Sequence, residues 1–468
     1  MLQVKQNQIV DEQGKEFRLR GTCIGGWMNM ENFINAYPGD EHGLRAMMAE
    51  TLGSENAQFF FDRWLDYFLA EEDIAFIKSA GATVVRLPLN YRHFERDDEP
   101  FIYMEPGFAR LDKVVRWCAR HNLYAIFDLH AVQCWQNNDW HCDNSSRHTH
   151  FWQHTQFQDR YVGLWEEFAR RYKGNDIIAG YNVMNEPVSN APAGRFYDDR
   201  EYKPDWDTFN RVNRRVVKAI RAIDPDHIIF LEGDLFSSRF EKMDAPFADN
   251  LVYSSHNYAS PSYDPRRGPI SEEQRMQNVQ RQREIFLAHE GTRYMQRYNV
   301  PLWVGEFGAN SDCGLDDQVS IFEEYGVHWT IWTYKDAGAM GFVNVDPDSK
   351  YMQVLAPVLK AKRELGVDNW LSTGLPGTIV GGTIRELAGL IEKAIGDTEI
   401  NSAANQRYLA QTAIGMYAAS MMQPAYAKCF KGFSEIELDL LAQSFAFKNC
   451  HPRQDILKVL RKFWSFGS

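Results

Sequence analysis

Short apolar runs recur along the chain, separated by longer stretches in which apolar positions return every three or four residues. The runs fall at residues 21–25, 83–87, 124–129, 178–184, 227–231, 251–254, 302–304 and 329–332. The stretches 73–80, 107–121, 157–172 and 209–223 carry the helical period. Parallel strands need a crossover connection, so strand–helix alternation predicts a parallel sheet with helices around it. Eight such units predict closure into an α/β fold, a (β/α)8 TIM barrel, over about residues 17–365. An open doubly wound sheet is the alternative, but no G-x-G-x-x-G follows an early run. Ahead of the barrel, residues 4–10 and 17–20 alternate apolar and polar around Asp11-Glu12-Gln13-Gly14. This predicts an N-terminal hairpin with Gly14 in its turn, plugging the barrel's bottom.

The texture changes near residue 369. Thr373-Gly374-Leu375-Pro376-Gly377 reads as a linker or turn. Helical segments follow at 384–395, 403–422, 435–445 and 453–464, without strand-like alternation. The expected organisation is therefore a catalytic barrel over residues 1–368 and an all-α C-terminal appendage over 369–468. Residues 28–67 and 258–280 are longer than ordinary βα loops and are expected to build pocket wall.

Composition narrows the function. Hydrophobic residues at 44% and charged residues at 24% describe an ordinary globular chain. The net charge of −12 disfavours nucleic acid as a partner. No apolar run reaches the roughly 18 residues of a membrane span. The first ten residues lack the basic and apolar regions of a signal peptide, and the seven Cys are scattered, which together point to the cytoplasm.

In a TIM barrel the chemistry gathers at the C-terminal ends of the strands. Polar residues follow the runs systematically: Arg86 in Val85-Arg86-Leu87-Pro88, His130 after Asp128-Leu129, and Asn185-Glu186-Pro187 after the fourth run. His256 and Tyr258 follow the sixth, Glu306 the seventh, and Trp332 ends the eighth. Two Glu on nearly opposite strands can cleave a glycosidic bond as a carboxylate pair. An ionised Glu306 would attack the anomeric carbon, steadied by Tyr258 and Arg86. Glu186 would donate a proton to the leaving oxygen, its pKa raised by the nearby negative Glu306. Asn185 is placed for the sugar 2-hydroxyl, and Trp332 offers a flat face to the ring.

These residues resemble the eight-residue signature of glycoside hydrolase family 5, a group of retaining β-glycosidases: Arg86, His130, Asn185, Glu186, His256, Tyr258, Glu306 and Trp332. The resemblance implies Glu186 as acid/base and Glu306 as nucleophile. The first-run segment from Arg20 to Glu31 resembles that of the family's exo-β-1,3-glucanases, which implies that Glu31 binds hydroxyls of a terminal sugar. The stretch from Gln136 to Asn144 loosely resembles their next loop, implying the same for Asp143 and Asn144. Here the loop is longer, because Trp140-His141-Cys142 intervene.

The reading is a retaining β-glycosidase acting on terminal β-linked glucosyl or related residues of an oligosaccharide or glycoside. The alternatives are an endo-acting β-glucanase or β-mannanase, or a glycolipid-directed β-glycosidase. No cofactor or metal is expected. His141, His148, His150 and His154 lie near Cys134 and Cys142, but their spacing matches no metal motif and reads as a polar substrate-side loop.

Overall fold

A computed structural model describes residues 1–191, 202–258, 270–309, 311–338, 340–367, 379–398, 402, 406, 409 and 413–465. Eight parallel strands close into a barrel: β3 (Arg20–Cys23), β4 (Val84–Asn90), β5 (Tyr124–Ala131), β6 (Ile178–Asn182), β7 (Ile228–Glu232), β8 (Leu251–Asn257), β9 (Leu302–Phe307) and β10 (His328–Ile331), with β10 pairing back onto β3. Every predicted run coincides with one of them. The helices Glu71–Ser79, Glu105–His121, Thr155–Tyr172 and Trp206–Ile223 occupy the predicted stretches.

The interior is written into alternate positions along each strand. Val84, Ile126, Ile228, Phe230, Val252 and Trp303 fill its lower part as one apolar cluster. Two residues further up each column the side chain turns polar: Arg86 above Val84, Asp128 then His130 above Ile126, Glu232 above Phe230, and Ser254 then His256 above Val252. The barrel thus has an oil-filled base and a charged mouth.

The base is closed by the hairpin β1 (Gln3–Lys5) and β2 (Gln8–Val10), whose Leu2 and Ile9 join the interior cluster. Its tight turn falls at Gln6-Asn7, with Gln6 at φ +56°, and not at Gly14 as the glycine suggests. Gly14, at φ +76°, makes a second turn that returns Glu16 to Val10.

Residues 28–67 are mainly two helices, Glu41–Leu52 and Ser54–Phe68. The part up to Asp40 holds one short helix, Asn32–Asn35. Of the insertion at 258–280, residues 259–269 lie outside the described residues, as do the linker 373–377 and much of 403–422.

The C-terminal region is helical, with Ile379–Ile395, Ala419–Lys428, Glu435–Ala442 and Gln454–Trp464, and it holds one short strand, β13 (Cys450–Pro452). That strand pairs antiparallel with β12 (Val343–Val345), which pairs with β11 (Lys335–Asp336) just beyond the barrel's last strand. The region also shares a continuous apolar core with the barrel helices. Phe445 packs on Trp64, with ring centroids 3.8 Å apart, and Arg63 bonds Asp439 at 2.6 Å. Trp464 stacks on Trp329 of β10 at 6.4 Å. Among the described residues no helix is long and apolar enough to cross a membrane.

Candidate active site

At the mouth, β4 raises Arg86 into the centre of a buried polar cluster. Its guanidinium donates to Asn182 Oδ1 (3.0 Å), Asn185 Oδ1 (2.7 Å) and Glu306 Oε1 (2.5 Å), and it faces Asp128 (3.0 Å) and Glu232 (3.2 Å). A fork-shaped donor with five N–H groups is the side chain that can satisfy so many acceptors at once. Glu306, at the end of β9, accepts the Tyr258 hydroxyl on its other oxygen at 2.8 Å.

Glu186 follows β6 in the left-handed region, at φ +46°. Its backbone N–H donates to Glu232 Oε2 at 2.8 Å and its carbonyl accepts from Asn137 Nδ2 at 2.9 Å. These two bonds hold a strained residue in place, and such strain concentrates at functional sites. Glu186 Oε1 lies 2.6 Å from His256 Nδ1, and Oε2 lies 3.0 Å from His141 Nε2. One atom each from Glu186, His256 and Glu306 lies within 4.8 Å of the others. An oxygen of Glu186 and an oxygen of Glu306 thus lie within 4.8 Å of each other, a close approach compatible with the narrow carboxylate pairing of double displacement.

Such a trio also has the donor set of a metal site. Here, however, Arg86 and Tyr258 already occupy Glu306, and two imidazoles occupy Glu186. A cation would have to displace protein donors from both carboxylates. His148 and His150 stack on each other, with ring centroids 5.1 Å apart, and the Cys142 thiol donates to backbone carbonyls.

On the opposite side, His130 Nδ1 bonds Asp128 at 2.7 Å, and its ring stacks on Trp332, with centroids 5.3 Å apart and planes inclined by 10°. Gly25 makes room for that tryptophan, since a Cβ there would lie 2.7 Å from its ring. Glu31 is buried, 3.5 Å from His130 Nε2.

Residues 39–338 match the model for cellulase, glycosyl hydrolase family 5. The chain belongs to glycosyl hydrolase family 5. It is similar to a beta-xylosidase of Phanerodontia chrysosporium, 36% identical over 486 residues that cover 98% of this chain and 97% of that one. It also resembles endoglucanase C of Acetivibrio thermocellus, 24% identical over 59% of this chain and 87% of that one. Among solved structures, a beta-glucanase from Saccharophagus degradans is 16% identical with a TM-score of 0.47, covering 75% of this chain and 86% of that one. This family 5 protein is a retaining O-glycosyl hydrolase of the cellulase and xylosidase type.

In this family 5 hydrolase the structure brings nine of the eleven expected site residues together: Glu31, Arg86, His130, Asn185, Glu186, His256, Tyr258, Glu306 and Trp332. Asp143 and Asn144 do not face them with free groups. The Asp143 carboxylate accepts from His42 N (2.7 Å), Asn90 (3.1 Å) and Arg92 (3.2 Å). The Asn144 amide ties its own loop, donating to the carbonyls of Asn137 and His148 and accepting from Ser146 N and Arg147 N. The inserted Trp140-His141-Cys142 turn lengthens the loop and puts His141 against Glu186 instead.

Two site residues escape the sequence reading. Glu232 follows the fifth run, at the end of β7, and obeys the strand-end rule that points to the others. It bonds Ser237 Oγ and approaches His256 and Arg86, and their positive charges outweigh its burial and bring its carboxyl to about 2. His141 is the other, masked by its place among several histidines.

The electrostatics also differ from expectation. Burial pushes the Glu186 carboxyl up, but the charge on His256 and the hydrogen bonds from His141 and His256 outweigh it, holding Glu186 well below the usual range. Burial would lower His256, yet Glu306, Glu232 and Glu186 hold it far above an ordinary imidazole. Asp128 likewise lifts His130 against burial, to about 10. Pairing Glu186 with Glu306 alone predicts a raised carboxyl. The two imidazoles reverse the sign.

Proposed function

We propose that this enzyme is an exo-acting retaining β-glycosidase that releases terminal β-linked glucosyl or related sugars, with Glu306 as nucleophile and Glu186 as acid/base. The observation that carries the assignment is the narrow Glu186–Glu306 spacing, with the cation Arg86 on one carboxylate and imidazoles on the other. Glu306, paired with Arg86 and aimed by Tyr258, attacks the anomeric carbon. Glu186 protonates the departing oxygen, then deprotonates the water that releases the sugar. Asn185, oriented by Arg86, reaches for the 2-hydroxyl, and Trp332 lies under the ring.

Exo action is supported by how the mouth is walled. The loops after β3 and β5 are stitched together by Asn29 Nδ2 on the His141 carbonyl (3.1 Å) and His42 N on Asp143 (2.7 Å). Such a seam would narrow that side of the mouth, which favours a pocket over an open cleft. A second reading, a terminal xylosyl residue, is favoured by the likeness over nearly the full length to a beta-xylosidase.

Products from short β-gluco- and β-xylo-oligosaccharides, followed with the matching aryl glycosides, test both points. Single sugars released from one end support the pocket. Internal fragments as first products would overturn exo action, and the preferred aryl glycoside fixes the sugar. Glu306→Gln should lose at least 1,000-fold in turnover of either aryl glycoside with an unchanged circular dichroism spectrum. Activity within tenfold of the parent would move the nucleophile elsewhere.

A further inference from the structure

The turn at Trp140–Cys142 places a histidine on the face of Glu186 away from His256. His141 is almost fully buried, and its backbone carbonyl is tied to Asn29. The turn itself is capped by Asp139, whose carboxylate accepts from Trp140 N at 2.8 Å. His141 is therefore fixed, and its Nε2 meets Glu186 Oε2 at 3.0 Å.

Two bare acceptors cannot face each other at that distance in a buried site, so a proton lies between them. It belongs either to Nε2 or to Oε2. Asn137 senses which. Its Oδ1 accepts from Asp139 N (3.0 Å), so its amide nitrogen points at the site. There one N–H donates to the Glu186 carbonyl and the other lies 3.0 Å from His141 Nε2. That second N–H has an acceptor only when Nε2 is bare, which is when Glu186 carries the proton. Asn137 thus favours the loaded acid, while the cation on His256 favours the ionised one.

We propose that His141 shares the leaving-group proton with Glu186, acting as a positioning residue that keeps the acid/base reloaded. This rests on the reading of Glu186 as acid/base. In the first step Glu186 gives its proton to the leaving oxygen, which takes the electrons of the breaking bond to the anomeric carbon, while a Glu306 oxygen bonds that carbon. That proton is the one shared with His141 Nε2, so the carboxylate left on Glu186 keeps His256 Nδ1, on Oε1, as its donor until the second step returns a proton to the pair. In the second step Glu186 takes a proton from water, whose oxygen bonds the anomeric carbon as the Glu306 ester opens. The other groups around this exchange are Glu306 and Glu232, which face His256; Tyr258 and Arg86, which face Glu306; and Asp139 and Glu31, near His141.

The test compares His141→Ala and His141→Gln with Glu186→Ala. Each is followed on a dinitrophenyl glycoside and on an alkyl glycoside across pH. Removing a neighbouring cation raises a carboxyl, so the alkaline limb of kcat/KM should move up by about one unit in both His141 variants. The alkyl glycoside should lose at least tenfold more than the dinitrophenyl one, because only the former needs protonation. Gln keeps a donor on Oε2, so it should restore KM without restoring the limb. A histidine that only holds the loop would be rescued in full by Gln, and an unmoved limb in both variants overturns the proposal. If the Ala variant does not fold, the Gln variant decides alone. Glu186→Ala should show the same leaving-group selectivity and recover with azide. If it does not, the acid/base reading itself falls; if it does while the limb stays put, only the role of His141 falls.

Discussion

Arg86 shows why the charged mouth is a unit. It is fully buried and holds Glu306, Asp128 and Glu232 apart as counter-ions. Arg86→Met would leave those carboxylates with the imidazoles of His130 and His256 as their nearby cations and without the guanidinium between them. Breaking a buried pair on one side costs about 3–5 kcal/mol, so the urea midpoint should fall accordingly, with turnover down at least 100-fold. A midpoint within error of the parent would mean that the carboxylates find other partners. At this scale the chain is legible where a polar residue stands at or just past the end of an apolar run, as Arg86, His130, His256 and Glu306 do. Glu232 was equally legible. His141 was not, because what matters is its distance to Glu186, some 45 positions away in sequence, and no local pattern records that. Asp143 and Asn144 follow a likeness in letters, and here their side chains are taken up by bonds to their own and neighbouring loops.

Among the elements, the eight barrel strands were readable because strands buried on both faces are continuous apolar runs. β13 was not. Cys450-His451-Pro452 has no alternation and ends in a proline, and it is a strand only because β12 offers it an edge. The hairpin turn was misplaced because Gln6, with no glycine to mark it, adopts the left-handed backbone. The helix Gln454–Trp464 is the element whose docking carries a clear cost. Trp464 is buried against Trp329 and Phe342. Trp464→Ala should destabilise by about 3–5 kcal/mol, read as a fall in Tm, with KM little changed because the cavity lies outside the barrel. A KM shift of tenfold or more would show that this helix communicates with the mouth.

For the whole molecule, pH acts through buried histidines at opposite ends. At the base, His328 Nδ1 accepts from Leu19 N at 3.1 Å, and burial together with Arg18 and Arg20 lowers its pKa to about 3. A folded pKa below the unfolded value of roughly 6.5 gives stability that is present above 6.5 and is lost as pH falls towards 3, by about 1.4 kcal/mol per unit. His130 has the opposite sign: lifted to about 10, it stabilises below 6.5 and loses that contribution as pH rises through 10. Urea unfolding at pH 7 and pH 4.5 should show the acid loss, and His328→Asn, which keeps an acceptor for Leu19, should flatten it. An equal slope in the variant would assign the acid loss to carboxylates such as Asp224, which His227 and Tyr181 help hold at about 2.

The seam between β12 and β13 has a consequence for how the enzyme is made. A ribosome delivers the chain from its N-terminus at roughly 5–20 residues per second. The eighth barrel strand therefore emerges roughly seven to twenty-seven seconds before Trp464 can cover Trp329. Throughout that interval the nascent barrel carries an uncovered indole and an open strand edge at Val343–Val345. Translation that stalls or stops within it leaves a chain that has every catalytic side chain and a sticky flank, which makes it a client for chaperones and proteases rather than a shorter enzyme.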